Sequence, residues 1–229
     1  IHVFYQKNAG VAMARQIGMD NAHGIYSIHI DADDWVESTM LEKLYLKARE
    51  ADADVVIADY FINSSASEII VKQQPSLTTP HTVLVRTDLY RKYNLRFFYG
   101  INHCEDLLIW VQLLQHKNIK IVYLPQAFYH YWINNNSITH NFTRKTYEIR
   151  LKFRDKLNDL LHLSNASEIV AQVSFSIFTE GFIYNILTKE EIKDGLNLYK
   201  NQIKHLKSLK WRLGFIMLSY GMLNFAHKL

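Results

Sequence analysis

The chain has 229 residues, of which 48% are apolar, with only 8 Gly and 3 Pro and a formal net charge of +4. That balance excludes a disordered or fibrous protein, and the lone Cys104 excludes an intrachain disulfide and fits a reducing compartment. No apolar run reaches the roughly 20 residues of a membrane-spanning helix.

Charge is unevenly spread: residues 1–140 carry 12 Lys+Arg against 14 Asp+Glu, and residues 141–229 carry 14 against 8. The basic character belongs to the C-terminal part. It predicts either an anionic partner, such as a lipid surface or nucleic acid, or a solvated helical face.

In chain order, residues 1–5 read as a strand, Asn8-Ala9-Gly10 as a turn, and 11–21 as a helix with Val11, Ala14, Ile17 and Gly18 on one side. The chain opens directly into apolar residues, so the natural N-terminus is expected upstream. Gly24 closes the first helix, and 25–30 alternate as a second strand. The next helix is predicted with Ser38 as N-cap and Met40, Leu41, Leu44, Tyr45 and Ala48 as its buried face. Residues 54–61 form a third strand, apolar through its centre. This alternation predicts an α/β sheet with right-handed crossovers.

Residues 63–80 are Ser/Thr-rich and read as irregular. A short strand over 82–86 and a short helix over 87–93 follow, then a loop over 94–104 carrying aromatics and His103. Residues 105–116 predict a helix that turns either Leu108, Val111 and Leu114 or Leu107, Trp110 and Leu114 inward. Two extended segments, 120–124 and 128–133, come next. Beyond Asn141 only helices are predicted, over about 144–163, 166–187, 189–208 and 209–227. The expected organisation is an α/β part over 1–140 and an all-helical part over 141–229.

The densest chemistry is Asp31-Ala32-Asp33-Asp34, at the end of an apolar, alternating run. Strand C-termini are where open α/β sheets place ligands. Closely spaced carboxylates repel, and a hard cation such as Mg²⁺ or Mn²⁺ relieves that repulsion. Two other readings compete. A phosphatase of the haloacid dehalogenase type also places Asp-x-Asp after a strand, but it wants a small residue where this chain has Trp35. A solvated turn with Asp34 as a helix cap is the other.

Glu105-Asp106 opens a helix after a loop. Acids are ordinary at helix starts, but a carboxylate there can also act as a general base on a hydroxyl. The turn at Asn8–Gly10 puts backbone N–H groups at a helix start, where phosphate can bind, although no glycine-rich nucleotide fingerprint is present. Arg15 can pair with phosphate or with an acid of the cluster. Eleven His residues show no zinc-like spacing; His103, His130 and His140 flank the candidate elements.

Taken in order, these pieces resemble the family 2 glycosyltransferases of the GT-A fold, in particular bacterial enzymes of surface-polysaccharide assembly. Asn8-x-Gly10 followed by Ala14-Arg15 is similar to that family's Asn-x-Gly…Ala-Arg-Asn helix. The run from Gly24 to Trp35, with Asp31-Ala32-Asp33-Asp34, resembles its Asp-x-Asp segment. Asp52 to Tyr60 resembles the strand that follows, and Glu105-Asp106 the family's Glu-Asp pair. Tyr129-His130-Tyr131 with Asn136-Ser137-Ile138 resembles its closing Tyr-x-Tyr-Arg…Ser-Ile-Ser segment. Gln16 stands where the family usually has Asn, and Trp132 where it has Arg.

The resemblance implies an α/β, GT-A-like mixed sheet with flanking helices, followed by an all-helical C-terminal region. It implies an inverting transfer of sugar from a nucleotide-sugar, a UDP-sugar by analogy, to a hydroxyl of a glycan or lipid-linked acceptor. Asp106 would be the catalytic base. Asp33 and Asp31 would hold a divalent cation, Mn²⁺ or Mg²⁺. Asp31, Asn8, Arg15 and Glu105 would bind the nucleotide-sugar. Residues 1–5 would be the third strand of a complete domain whose nucleotide-gripping strands precede it. A non-catalytic binding or scaffold remnant of the same fold is the alternative.

Residues 213–226 are uncharged and mostly apolar, preceded by Lys204, Lys207, Lys210 and Arg212. Such a segment can lie in a membrane interface or pack as a buried helix. The expectation is a cytoplasmic protein with peripheral membrane contact through 204–228 and no nucleic-acid partner.

Overall fold

A computed structural model describes residues 1–64, 67–73, 82–133, 142–162 and 166–201. The chain divides into two compact units, Ile1–His140 and Asn141–Leu229.

Among the described residues the first unit is built on a six-stranded mixed sheet. Its strands are β1 (Tyr26–Ser27), β2 (Trp35–Val36), β3 (Val55–Ser64), β4 (Ser67–Gln73), β5 (Val83–Arg86) and β6 (Ile121–Ile133). The order is β1-β5-β3-β6-β2, with β4 pairing to β3 off that path. The β3–β6 pair is parallel and the other pairs are antiparallel. Helices α1 (Val11–Asp20), α2 (Met40–Ala51), α3 (Asp88–Lys92) and α4 (Glu105–Leu114) flank it.

Strand alternation explains the two cores. Val55, Val83 and Val85 join Ala12, Met19, Leu89, Tyr90, Trp110 and Leu113, so α1, α3 and α4 cover one face. Val56, Ala58 and Leu84 join Met40, Leu44 and Ala48, so α2 covers the other.

Several expectations need correction. Residues 1–5 form no strand: Ile1, Val3, Phe4 and Tyr5 are exposed, and no strand among the described residues pairs with them. A strand without a neighbour has nothing to hydrogen-bond. The second strand shrinks to Tyr26–Ser27, because β5 supplies only Arg86 and Val85 as partners. Residues 63–80 are not wholly irregular: β3 runs on to Ser64 and pairs with β4, while 74–81 lie outside the described residues. The segments 120–124 and 128–133 are one strand, β6. Its partners skip from Leu124 opposite Ala58 to Ala127 opposite Asp59, so Pro125 sits in a bulge where its missing N–H is harmless.

Helix faces also shift. On α1 the buried residues are Ala12 and Met19, and Ala14 and Gly18 face solvent. This turns Arg15 and Gln16 inward, three and four positions after Ala12. On α2, Leu41 and Tyr45 are exposed, and the N-cap is Thr39 rather than Ser38. On α4, Leu114 is exposed and Glu105, Leu108, Trp110 and Leu113 are buried.

The second unit contains α5 (Arg144–Leu160), α6 (Ala166–Ile183) and α7 (Lys189–Leu198). Thr143 with Thr146, and Thr188 with Glu191, form capping boxes that satisfy helix-start N–H groups. Tyr147, Ile177, Phe178, Phe182, Leu187, Ile192 and Tyr199 form its core. A Cβ at Gly195 would strike the Phe178 ring, which lets α7 approach α6 closely. The helices predicted over 189–208 and 209–227, and the segment 204–228, fall largely or wholly outside the described residues. No helix among the described residues is long and apolar enough to cross a membrane.

Candidate active site

The site forms where α1, the turn after β1 and the start of α4 converge. Arg15 Nη2 donates to Asp31 Oδ1 and Arg15 Nη1 donates to Glu105 Oε1, both at 2.6 Å. One guanidinium thereby joins the acidic turn to the acidic helix start. Arg15 and Glu105 are nearly buried, with side-chain exposures of 17% and 9%, whereas Asp31 keeps 34%. Charge-assisted bonds at that length are among the stronger ones available to a side chain.

The turn itself is fixed from β6. The Tyr129 hydroxyl donates to Asp34 Oδ2 at 2.5 Å and accepts from the Asp31 N–H at 3.1 Å. The Trp132 N–H donates to Asp34 Oδ1 at 2.8 Å. Asp34 is therefore a tie to β6 and does not cap α2. Burial raises its pKa in spite of these two donors. Asp33, between Asp31 and Asp34, is exposed.

Asp106 is half-buried and lines a cavity of about 60 Å³ with Arg15, His29, Tyr90, Phe97 and Trp110. Its Oδ1 accepts from the Leu107 N–H at 2.8 Å. Burial raises its pKa, Arg15 and the helix-start N–H groups pull it back, and Asp31 adds a further rise. Glu105 is pushed up to about 7, first by burial and then by Asp106, against the opposing pull of Arg15. His29 is held down to about 4 by burial and by the Arg15 charge, so it is neutral here.

Asn8 does not join the cluster. It is exposed, and its Oδ1 accepts from the Gly10 N–H at 3.1 Å in a turn that leads into α1. Gly10 adopts φ +85°, and a Cβ there would overlap the Asn102 side chain. Asn102 Oδ1 accepts from the Ala12 N–H at 3.3 Å, so a side chain from the loop before α4 satisfies a helix-start donor of α1. Gln16 Oε1 accepts from the Phe97 N–H at 2.8 Å and ties the same loop to α1. His130 is buried in the sheet, and His140 lies outside the described residues.

Sequence reasoning missed His29, Gln16 and Asn102 as site supports and treated Tyr129 only as part of a motif. For Gln16 the signal was its position next to Arg15 on the inward face. His29 and Asn102 carry no local signal, because their partners lie far along the chain.

Among the described residues no three His, Cys, Asp or Glu side chains gather around a common point suited to a metal ion. Asp31 and Asp33 offer two hard oxygen donors on an accessible turn. That set fits Mg²⁺ or Mn²⁺, which are commonly held by one or two carboxylates with water and substrate phosphate. The surplus of carboxyl groups over the single Arg15 in this cluster favours a cation in the same place.

The mixed sheet with flanking helices, an acidic turn beyond one strand and an acid pair opening a helix is arranged as in a GT-A-like fold. Residues 1–106 match the family described as Glycosyl transferase family 2. The chain is similar to the cholesterol galactosyltransferase of Borreliella burgdorferi, with 39% identity over 143 residues, covering 56% of this chain and 39% of that protein. It is also similar to the uncharacterized glycosyltransferase YibD of Escherichia coli, with 28% identity over 163 residues, covering 61% of this chain and 47% of that protein. The chain thus spans less than half the length of either relative. Its fold is similar to that of S. aureus TarS 1-349 crystallised with UDP-GlcNAc, with a TM-score of 0.62 at 16% identity, covering 98% of this chain and 72% of that one.

Proposed function

We propose that this chain is the catalytic part of an inverting glycosyltransferase that moves a sugar from a UDP-sugar to a hydroxyl of a glycan or lipid-linked acceptor in surface-polysaccharide assembly. The observation that carries this reading is the Arg15 fork, which joins the Asp31–Asp34 turn to the helix start bearing Asp106. The family match and the UDP-GlcNAc complex of TarS support the nucleotide-sugar donor.

Asp106 is the base. Its position at a cavity wall makes it reachable, and its raised pKa makes it a better proton acceptor than an ordinary carboxylate. An acceptor hydroxyl passes its proton to Asp106 as its oxygen attacks the anomeric carbon. The nucleoside diphosphate leaves from the opposite face, so configuration inverts and no covalent enzyme intermediate forms. Asp31 and Asp33 would hold a divalent cation, which would supply Lewis-acid stabilisation to the departing diphosphate. Arg15 has both terminal nitrogens on carboxylates, so its part is to hold Asp31 and Glu105 in register. Asn8 acts through the turn that starts α1. Peripheral membrane contact through 204–228 suits a lipid-linked acceptor.

Calorimetric titration of UDP with Mn²⁺ into the chain tests this reading. The expected result is metal-dependent UDP binding that Asp33→Ala abolishes. UDP binding that is indifferent to Mn²⁺ and to Asp33→Ala would sink it.

A further inference from the structure

An aromatic row crosses the sheet beside the acidic turn and ends in the open. Phe61 on β3 is in register with His130 on β6, and His130 is in register with Trp35 on β2. Residues in register on neighbouring strands present their side chains on one face. The three rings stack, with centroids 4.7 Å apart at 29° for Phe61–His130 and 4.9 Å apart at 9° for Trp35–His130. Two rings at such spacings cannot share one face of the imidazole, so His130 is enclosed between them.

Trp35 ends the row. Among the described residues β2 is the last strand on the sheet path, and Trp35 remains 46% exposed. Trp132 stands 6.0 Å from it, tilted by 48°, as the second wall of an open wedge. The wedge is held rigidly. His130 Nε2 bonds Glu37 Oε1 at 2.8 Å, and the Trp132 N–H bonds Asp34 at 2.8 Å. The side chain of Glu37 is 51% exposed at the rim.

The geometry points to a saccharide-stacking subsite formed by Trp35 and Trp132 with Glu37 at its rim, which takes the ring of the acceptor. A pyranose has an apolar C–H face for an indole and a rim of hydroxyls for a carboxylate. An acyl chain has no donor for the Glu37 carboxylate, and a sterol offers a single hydroxyl where a pyranose offers several. The wedge is continuous with the donor turn through Asp34, which places an acceptor ring beside the bound nucleotide-sugar. The inference rests on the transferase reading and deepens it: the acceptor hydroxyl belongs to a sugar.

The test is NMR of the chain labelled with ¹⁵N at its tryptophan indoles, titrated with methyl glycosides of glucose, galactose and N-acetylglucosamine. The expected result is a shift of the Trp35 signal, assigned through Trp35→Phe, while buried Trp110 stays still. Read on the Trp132 indole signal, Trp35→Ala weakens the apparent glycoside affinity by about fivefold to tenfold, and Trp35→Phe keeps most of it. UDP with Mn²⁺, titrated into the same samples, reads the donor site separately. Glycoside shifts without UDP binding support the subsite and count against the transferase reading. UDP binding without glycoside shifts at Trp35 overturns the subsite. Shifts at Trp35 caused by cyclodextrin-solubilised cholesterol and by none of the glycosides also overturn it.

Discussion

Arg15 and Glu105 stand 90 positions apart in the chain, and their side chains meet at 2.6 Å. The second nitrogen of the same guanidinium holds Asp31, so removing Arg15 leaves two carboxylates facing each other in a poorly solvated place. Arg15→Met should destabilise the protein by about 3 kcal/mol, since breaking a buried pair strands its partners. Arg15→Lys should recover only part of this, because one ammonium cannot form the fork. Urea unfolding of the three proteins at neutral pH checks it.

Glu105 gives stability an unusual pH dependence. Its folded pKa of about 7 lies above the ordinary 4.5, so between those values the folded state binds more protons than the unfolded one. Its contribution is fully present below about 4.5 and is lost as pH rises through 7, a change on the order of 3 kcal/mol. Glu105→Gln should flatten the stability profile over that window. A wild-type profile that rises there, unchanged by Glu105→Gln, would contradict the assignment.

His29 acts with the opposite sign. Its folded pKa of about 4 lies below the ordinary 6.5. Its contribution is present above 6.5 and is lost as pH falls towards 4. In His29→Phe, acid unfolding should begin at lower pH than in the wild type, as measured by circular dichroism across an acid titration.

Gly10 is needed for its backbone and for the space it leaves. Gly10→Ala places a side chain at φ +85° and against Asn102, so it should cost about 2 kcal/mol or more. Asn102→Ala, which loses only the bond from the Ala12 N–H, should cost about 1 kcal/mol. Thermal unfolding of both variants separates the two effects.

In the proposed reaction Asp106→Asn removes the base and leaves the shape. Transfer should fall by about 10²–10⁴-fold with UDP affinity nearly unchanged. Because burial raises the pKa of Asp106, the acid limb of the wild-type rate profile should lie above the ordinary carboxylate range.

The alternation of apolar and polar residues made part of the sheet and most helices legible in the sequence, and the ordered motifs pointed to Arg15, Asp31 and Glu105, which the fold brings together. The exceptions have physical causes. β4 was hidden by its Ser/Thr-rich surroundings, although Ile69-Ile70-Val71 carried β-branched propensity. β6 was split in two by Pro125, which the bulge accommodates. The inward face of α1 was misread because apolar residues were assumed to define it. There a charged residue is turned inward, and Asp31 and Glu105 make that burial tolerable. No local pattern announces a partner that lies so far along the chain.

The most direct test of the central claim is paramagnetic broadening by Mn²⁺ in the presence of UDP, read on backbone amides. With the cation held at Asp31 and Asp33, signals of Arg15, Asp33, Asp106 and Leu107 should broaden first, and Asp33→Ala should abolish the effect. Broadening that spares Asp106 and Leu107 while affecting the acidic turn would contradict a shared site.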